Sequence, residues 1–220
     1  MIRRSIRYIT ARTLKPYLEK KSLKPQVFTY RDIRLIIPPG VFHPGYFYST
    51  KFLLTYVLKL DLAGKKLLEP GCGSGLISIA ASKKGAAATA TDIDPAAIKG
   101  LEDNSKKNNV GISIIHSDLF ENIPVQKFDI IVINPPFCRG IANSEKEKAW
   151  YCGENFEFFS DLFSSISAYM TEETQVLMVL SDGCELEKIN ALCIAGGLHM
   201  QEVVRKSFLL ETEFIFRIQA

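Results

Sequence analysis

Lys65-Lys-Leu-Leu-Glu-Pro-Gly-Cys-Gly-Ser-Gly75 is the stretch of sequence that decides the fold. Its apolar start indicates a short strand ending at Leu68, and the alternate glycines indicate a tight turn before a helix that begins at about Gly75. The next apolar run, residues 87–91, is again typical of a strand. A strand, a turn, a helix and a second strand form a βαβ unit, which predicts a parallel sheet.

The chain after this unit continues to alternate strands and helices. Asp94-Pro95 predicts a helix that extends toward Lys107, because Asp caps helices well and Pro suits the first turn. Further strands are expected at residues 112–115, 128–133, 175–180, 202–205 and 213–218, and further helices at 156–170 and 186–193. The short connection at 209–213 predicts a C-terminal antiparallel hairpin. We therefore expect an α/β fold with a seven-stranded, mostly parallel sheet flanked by helices.

The start of the chain is basic. Residues 1–34 hold ten Lys/Arg and two Asp/Glu, out of 27 and 24 in the whole chain, so the remainder is acidic by five charges. Ile2, Ile6, Ile9 and Leu14 recur at roughly helical intervals, which predicts a basic helical extension over 1–34 and an α/β domain over 35–220. The extension is either a solvated helix packed on the domain, a contact with RNA or another polyanion, or an organellar transit peptide.

The segment between the basic start and the Gly-rich unit contains a strand, a loop and a helix. Residues 30–37 alternate as a strand does, and Pro38-Pro39-Gly40 ends it. Phe52, Leu53, Tyr56, Val57 and Leu60 then mark one face of a helix, for which Ser49 or Thr50 is the expected cap.

Composition restricts the class of protein. The 220 residues are 47% hydrophobic and 23% charged, and the longest apolar runs are too short to cross a bilayer, which favours one soluble domain. The five cysteines are an odd number with no Cys-x-x-Cys pair, and the three histidines do not cluster near them. We therefore expect neither disulfides nor a metal site, and a reducing, cytoplasmic location.

The glycines of the first turn indicate a ligand as well as a fold. Glycine lets the backbone approach a ligand, and the N–H groups that open a helix attract anionic groups. The spacing is Gly-x-Gly-x-Gly, and Leu76 stands where a dinucleotide fingerprint has its third glycine, which argues against NAD and FAD. Asp92 ends the following strand, where a carboxylate can accept both hydroxyls of a ribose, and Asp118 can accept an adenine amino group. Each is also compatible with a simple strand-end Asp.

Asn134-Pro135-Pro136-Phe137 carries the most specific chemical signal, because it follows directly on the apolar run 128–133. The two prolines hold Asn134 in an extended conformation. The Asn134 Oδ1 atom and the Pro135 carbonyl can then accept the two N–H bonds of an amide or an exocyclic amine, while Phe137 packs on its flat face. We therefore predict catalysis on a planar NH2 group, with Asn134, Pro135, Pro136 and Phe137 as the catalytic motif.

His43, Tyr46, Tyr48 and Trp150 are further candidates for the acceptor pocket, and Arg139 for a substrate phosphate or carboxylate.

These motifs resemble those of the amino-methyltransferases in the "methyltransferase small" group, notably the HemK-type release-factor glutamine methyltransferases. The resemblance covers roughly residues 41–220 and includes Ala149-Trp150-Tyr151-Cys152-Gly153-Glu154-Asn155, and the predicted C-terminal hairpin is that of class I, Rossmann-like methyltransferases. It implies that S-adenosylmethionine is the cofactor. It also implies a cofactor site made of Glu69, Gly71, Cys72, Gly73, Gly75, Asp92, Ile93, Asp118, Leu119 and Asn134.

Two departures leave the acceptor open. Phe137 stands where HemK proteins usually have Tyr, and both Asn-Pro-Pro-Phe and the segment Pro39-Gly40-Val41-Phe42 resemble ribosomal RNA guanine-N2 methyltransferases. The N-terminal extension is also shorter than the helical substrate domain of bacterial HemK proteins. The leading expectation is an enzyme that methylates a protein glutamine amide of the translation apparatus, through its basic segment or a partner subunit. The alternatives are an enzyme that methylates a nucleic-acid base amine and a non-catalytic module that binds RNA or the ribosome.

Overall fold

The computed structural model describes residues 23–142, 144–209 and 211–220. A two-stranded sheet precedes a seven-stranded sheet of order β5-β4-β3-β6-β7-β9-β8. The strands are β1 (Gln26–Tyr30), β2 (Ile33–Ile37), β3 (Lys66–Pro70), β4 (Ala87–Asp92), β5 (Ile112–His116), β6 (Ile130–Ile133), β7 (Gln175–Ser181), β8 (His199–Ser207) and β9 (Thr212–Gln219). The helices are α1 (Tyr48–Val57), α2 (Leu76–Lys83), α3 (Pro95–Lys107), α4 (Glu145–Lys148), α5 (Glu157–Ser165) and α6 (Leu186–Ala195), and a 3-10 turn covers Ile166–Tyr169.

The seven-stranded sheet confirms the predicted fold class. Strands β3 to β7 pair in parallel, and β9 pairs antiparallel with both β7 and β8, so the C-terminal hairpin closes the sheet. All four residues of β6 are buried, and they alternate between two cores: Ile130 and Val132 face one side of the sheet, Ile131 and Ile133 the other. A strand buried on both faces has to be apolar throughout, which is why its sequence does not alternate.

The two cores place the helices on opposite faces of the sheet. Apolar residues of α1, α2, α3 and β2 pack on one face, and those of α5, α6 and the 3-10 turn pack on the other. The Asp94 carboxylate accepts a hydrogen bond from the Ala96 N–H at 2.8 Å and so caps α3, as its sequence predicts. No helix in the described ranges combines the length and the apolar character that a membrane span requires.

The predicted helical extension over residues 1–34 is wrong in part, because β1 and β2 form a hairpin in this range. Residues 26–30 and 33–37 form two antiparallel strands, so the helical extension predicted for 1–34 does not reach beyond residue 25. Side chains of α3 bind backbone groups of Arg34 and Ile36, and this long-range pairing favours a strand here. Residues 1–22, on which the rest of that prediction falls, lie outside the described residues.

Asn104 of α3 and Asn108, the residue that caps the C-terminal end of α3, attach this hairpin to the main domain. The Asn104 amide accepts from the Ile36 N–H at 2.8 Å and donates to the Ile36 carbonyl at 3.0 Å. The Asn108 amide does the same for Arg34, at 3.1 and 2.9 Å. The two residues are four apart and therefore lie on the same face of the helix. Their side chains make the hydrogen bonds to the free edge of β2 that a neighbouring strand would make.

Candidate active site

A cavity of about 520 Å3 opens at the carboxyl ends of β3, β4, β5 and β6. Ligands of open α/β sheets bind at this edge, where the strand order reverses, and here the reversal lies between β3 and β6. The wall includes Glu69, Asp92, Asp118 and Asn134, each at or just after the end of its strand, with Trp150 in a later loop. The cavity therefore brings together motifs that are far apart in sequence, and its volume suits a small-molecule ligand.

The Gly-rich turn after β3 forms the floor of the cavity. Gly71, Gly73 and Gly75 have φ values of 69°, 51° and 73°, in the left-handed region that side chains avoid. At Gly71 no atom lies within 4 Å of an added Cβ, so that position has open space beside it. Gly75 does not line the cavity, unlike the other residues of the predicted cofactor site. An added Cβ there would lie 2.2 Å from the Leu101 Cδ1 atom, so Gly75 is explained by the packing of α2 against α3.

Glu69 is buried at the end of β3 and holds the start of α2. Its Oε2 atom accepts hydrogen bonds from the Ser78 N–H at 2.8 Å and from the Ser78 hydroxyl. Burial raises the pKa of the Glu69 carboxyl to about 8, against the opposing effect of those hydrogen bonds. The carboxyl is therefore mostly protonated at neutral pH. Glu69 lines the cavity, and its contacts show that it also fixes the turn.

Asp92 ties the turn to the end of β4. Its Oδ2 atom accepts from the Gly73 N–H at 2.7 Å, and its Oδ1 atom accepts from the Asp94 N–H at 2.9 Å. Burial raises the pKa of the Asp92 carboxyl, while the N–H groups of Asp94 and Gly73 act to lower it. A carboxylate has about four acceptor positions, so about two remain for ribose hydroxyls. The predicted role of Asp92 is compatible with these contacts and stays a prediction.

Asp118 lies at the mouth of the cavity after β5. Its Oδ2 atom is 3.5 Å from the Lys148 Nζ atom, so an exposed ion pair joins β5 to α4 across the opening. Leu119 follows with a φ of 41°, and the neighbouring Ile93 carbonyl contacts the His116 Nε2 atom at 2.8 Å. Ile93, Asp118 and Leu119 all line the cavity, next to Asp92.

The Asn134 motif forms the opposite end of the cavity. All four of its residues line the wall, and Pro135 and Pro136 are buried. The Asn134 Nδ2 atom donates to the Thr50 Oγ1 atom at 3.2 Å. In the part of the chain that is described, no donor reaches the Asn134 Oδ1 atom or the Pro135 carbonyl, so both acceptors remain for a ligand. These are the two acceptors that a planar NH2 group requires.

Thr50 is a site residue that sequence reasoning missed. Its sequence position predicts a cap for α1, but the helix begins after Phe47 without a side-chain cap, and Thr50 is only 7% exposed. Its hydroxyl accepts from the Asn134 amide, 84 positions along the chain, because α1 packs on β7, the strand that pairs with β6. Local sequence carries no signal for so distant a contact. The apolar face of α1, which includes Leu53, gives the only hint that neighbouring Thr50 is turned inward.

Aromatic side chains close the acceptor end. The rings of Phe42 and Trp150 line the cavity, with centroids 5.3 Å apart, and Phe47 packs on both at 5.0 and 5.3 Å. Of the loop candidates His43, Tyr46, Tyr48 and Trp150, only Trp150 lies in the wall. His43 and Tyr46 stack on each other outside it, and Tyr48 stacks on Phe208. These three residues therefore do not line the cavity.

The loop of residues 138–153 folds over the cavity. Its two ends pair, because the Cys138 N–H donates to the Trp150 carbonyl at 2.9 Å and the Gly140 N–H donates to the Gly153 carbonyl at 3.2 Å. Arg139, predicted to meet a substrate anion, instead donates from Nε to the Glu154 carbonyl at 2.9 Å, because that carbonyl lies beside it across the pairing. The loop therefore brings Trp150 and Lys148 to the cavity.

The cavity wall is strongly acidic. Seven of its described residues have carboxyl side chains, namely Glu69, Asp92, Asp94, Asp118, Glu154, Glu157 and Asp161, whereas Lys148 is the only Lys or Arg among them. Glu154, Glu157 and Asp161 lie on the acceptor side and are exposed. Hydrogen bonds from the backbone N–H groups of Glu157 itself and Asn155 lower the pKa of the Glu157 carboxyl, which keeps it charged. Such a wall attracts cations and repels polyanions.

Comparisons with known proteins identify the family and the fold. Residues 32–150 match the family model described as the methyltransferase small domain. A Methanocaldococcus jannaschii protein, provisionally named a protein N5-glutamine methyltransferase, is 45% identical over 123 residues, which are 56% of this chain and 58% of that protein. The chain thus spans less than two thirds of the length of this relative.

Two solved structures share the fold. The T. thermophilus 16S rRNA N2 G1207 methyltransferase in complex with AdoMet and guanosine has a TM-score of 0.65 and 22% identity, over 89% of this chain and 51% of that one. The E. cuniculi Mtq2–Trm112 complex, described as responsible for methylation of the eRF1 termination factor, has a TM-score of 0.63 and 18% identity, over 82% and 98%. At identities of 22% and 18%, the similarity to these two structures establishes the fold alone.

Proposed function

This chain belongs to the methyltransferase small domain family, and from that premise we propose that it transfers the methyl group of S-adenosylmethionine to a glutamine side-chain amide in a protein of the translation apparatus. The observation that carries the proposal is the pair of acceptors Asn134 Oδ1 and Pro135 O: both residues line the same cavity as the Gly-rich turn, and no donor of the described residues reaches either oxygen. An amide NH2 group has two N–H bonds in one plane, which matches two acceptors side by side.

S-adenosylmethionine, the predicted cofactor, is the cofactor of this family, and it supplies a methyl group on a positively charged sulfur. The residues present fit it. Asp92 retains acceptor positions for ribose hydroxyls, Gly71 leaves open backbone space, and the acidic wall favours a cation. Asp118 would release Lys148 and then accept a hydrogen bond from the adenine amino group. These residue roles are part of the proposal.

The residues around the acceptor do the work of orientation. An amide nitrogen is a poor nucleophile because its lone pair is delocalised into the carbonyl. Asn134 and Pro135 would hold its two protons and so favour localisation of the lone pair toward the methyl donor, while Phe137 packs on the amide plane. Thr50 would keep the Asn134 Oδ1 atom turned to the acceptor by holding Nδ2. The extra proton on the methylated nitrogen can leave to water after transfer, so no side chain has to act as a strong base.

Electrostatics favour a protein acceptor over RNA. Glu154, Glu157 and Asp161 line the acceptor side, and a phosphate backbone that entered there would be repelled by them. The relative from M. jannaschii, named for glutamine methylation, supports the same choice. By analogy with the Mtq2–Trm112 complex, a partner subunit would help to hold the protein substrate.

A base exocyclic amine is the second candidate acceptor. It is favoured by the rings of Phe42 and Trp150, which line the cavity and could stack on a base. The segment Pro39-Gly40-Val41-Phe42, which resembles ribosomal RNA guanine-N2 methyltransferases, supplies one of these rings.

One labelling experiment separates the two acceptors. Extract from a strain that lacks this gene is incubated with the protein and methyl-labelled S-adenosylmethionine, and RNA is then separated from protein. We expect label in one protein band, at a glutamine that mass spectrometry identifies. Label in RNA would reject the glutamine assignment and support the base amine. Cofactor binding in calorimetry together with no transfer to any fraction would support the non-catalytic module instead.

A further inference from the structure

A second groove, of about 330 Å3, lies on the outer side of α1. Ser49, Thr50 and Leu53 of this helix turn inward, whereas its opposite face is turned to the groove. The far wall is the end of β8 and the connection that follows it. The groove is lined by Tyr48, Lys51, Phe52, Thr55, Lys59, Val204, Arg205, Lys206 and Phe208.

The groove is basic, in contrast to the acidic cavity. Four of the nine described residues that line it are Lys or Arg, and none of the nine is acidic. Arg205 is already paired with Glu202, at 2.6 and 2.7 Å. Lys51, Lys59 and Lys206 remain, and no carboxylate of the described residues lies within 4.0 Å of their Nζ atoms. Lys51 lies in the first turn of α1, and Lys59 lies just past its C-terminal end, so the two lysines flank the groove at opposite ends of the helix.

Aromatic rings lie between these lysines. Tyr48 stacks on Phe208 with the ring centroids 4.1 Å apart and the planes 12° from parallel, and Phe52 contacts Phe208 edge-on at 6.4 Å. Tyr48 is 47% exposed although its ring is fixed by this contact. Lys206 places its Nζ atom 5.3 Å from the Phe208 ring centroid. A fixed, half-exposed ring next to flexible cationic side chains can take both a planar group and an anion.

We propose that this groove binds single-stranded RNA, with Lys51, Lys59 and Lys206 on phosphates and Tyr48 against a base. Single-stranded nucleic acid sites combine cations along the backbone with aromatic rings for the bases. An acidic peptide would use the lysines but would gain little from Tyr48. RNA offers unpaired, splayed bases in its loops, whereas duplex DNA keeps its bases stacked inside.

The groove adds a docking function to the proposed reaction. It begins at Tyr48, two residues from Thr50, so bound RNA would lie beside the acceptor end of the cavity, while the acidic wall keeps phosphates out of the cavity itself. RNA would therefore be held and not methylated. This inference does not depend on the acceptor, because it rests on a different surface.

Binding of a fluorescent oligouridylate to the full chain, followed by anisotropy over a range of salt concentrations, tests the groove. The triple variant Lys51→Gln, Lys59→Gln, Lys206→Gln is compared with the matched triple Lys84→Gln, Lys106→Gln, Lys107→Gln, whose exposed lysines line neither pocket. Both variants lose three charges and retain the basic residues 1–22. Each lost phosphate contact reduces the steepness of the plot of log K against log salt by about 0.7. The variant with the three groove lysines replaced is therefore expected to have a slope shallower by about 2. Its affinity at about 0.1 M salt should be roughly 100-fold lower.

A second variant, Tyr48→Leu, separates RNA from acidic peptide. We expect it to weaken oligouridylate binding about tenfold, since stacking on one ring contributes about 1–3 kcal/mol, and to leave binding of a polyglutamate peptide unchanged. Equal losses in the two triples would overturn the proposal, as would polyglutamate or duplex DNA bound as tightly as oligouridylate. Thermal unfolding of each variant checks the fold. Methyl transfer is measured separately, so a failed methylation assay leaves this result standing.

Discussion

The two ends of the cavity are built differently. At the cofactor end, buried carboxyl groups and backbone N–H groups bind one another: Glu69 holds Ser78, and Asp92 holds Gly73 and Asp94. At the proposed acceptor end, Asn134 lines the cavity and donates from Nδ2 to Thr50, and no donor of the described residues reaches its Oδ1 atom. The cofactor end is thus fixed by the fold itself, whereas the acceptor end keeps its polar groups for a ligand. Substitutions at the two ends should therefore separate stability and cofactor binding from methyl transfer.

Asn134→Ala is expected to have the largest effect on transfer. It removes an acceptor that acts in the transition state, so the rate should fall by about 100-fold or more, while the affinity for S-adenosylmethionine falls much less, because the other predicted cofactor residues of the cavity are unchanged. Single-turnover kinetics and calorimetry measure the two quantities. Asn190→Ala, in α6 and away from the cavity, is the matched control. Unchanged transfer by the Asn134 variant would show that the proposed mechanism is wrong.

Gly75→Ala is expected to destabilise the cofactor end. The new methyl group meets Leu101 and the backbone is left at a φ of 73°, so the free energy of unfolding should fall by about 2–4 kcal/mol. Gly71→Ala is the control, because it has the same kind of backbone strain without the close contact, and it should lose about 1–2 kcal/mol. Denaturant unfolding compares them. If both variants lost the same amount, the packing explanation of Gly75 would fail.

Thr50→Val tests how the acceptor end is held. The substitution keeps the shape and removes the hydroxyl, so the Asn134 amide can rotate and kcat should fall by about tenfold. Thr50→Ser retains the hydroxyl and is expected to restore most of the rate. Equal rates for the Val and Ser variants would assign Thr50 to packing only. Separate values of kcat and KM distinguish this effect from weaker binding of substrate.

The effect of Glu69→Gln is expected in the pH dependence of stability. The folded protein keeps the Glu69 proton up to a pKa of about 8, whereas the ordinary pKa of this carboxyl, expected in the unfolded chain, is 4.5. The folded state therefore holds more protons between these values, and this contribution to stability is fully present below pH 4.5 and is lost as pH rises through 8. The glutamine variant should remove a slope of at most about 1.4 kcal/mol per pH unit.

Thermal unfolding of the cofactor-free protein from about pH 5 to 9, the range between and just beyond the two pKa values, measures that slope. The matched comparison is Asp161→Asn, which changes an exposed carboxyl group of the same cavity. If the stability of the Glu69→Gln variant changed with pH in parallel with that of the wild type, the pKa of the Glu69 carboxyl would not be raised in the folded protein.

The predictable parts of this protein are those encoded by neighbouring residues. The Gly-rich turn, the Asp94 cap and the strand before Asn134 each depend on a few consecutive side chains, and each can be predicted from them. Parallel strands then bring their carboxyl ends to one edge, which places Asp92 and Asn134 in the same cavity.

The parts that sequence reasoning misses depend on contacts between distant residues. The Thr50 hydroxyl contacts Asn134 across 84 positions, and Asn108 pairs with Arg34 across 74. The 138–153 loop is similar, because the pairing of Gly140 with Gly153 requires backbone conformations that its sequence pattern does not specify. Gly75 is the reverse case: its motif predicts a role in cofactor binding, which stays a prediction, whereas a side chain at this position is excluded by the packing of Leu101.

The asparagine pair on α3 has a consequence for association between molecules. A strand edge with unsatisfied backbone groups can recruit a strand from another chain. Asn104 and Asn108 satisfy the N–H and carbonyl groups of Ile36 and Arg34, so that edge of the hairpin is closed to such recruitment without an additional strand. Two amide side chains thereby protect the β2 edge from aggregation.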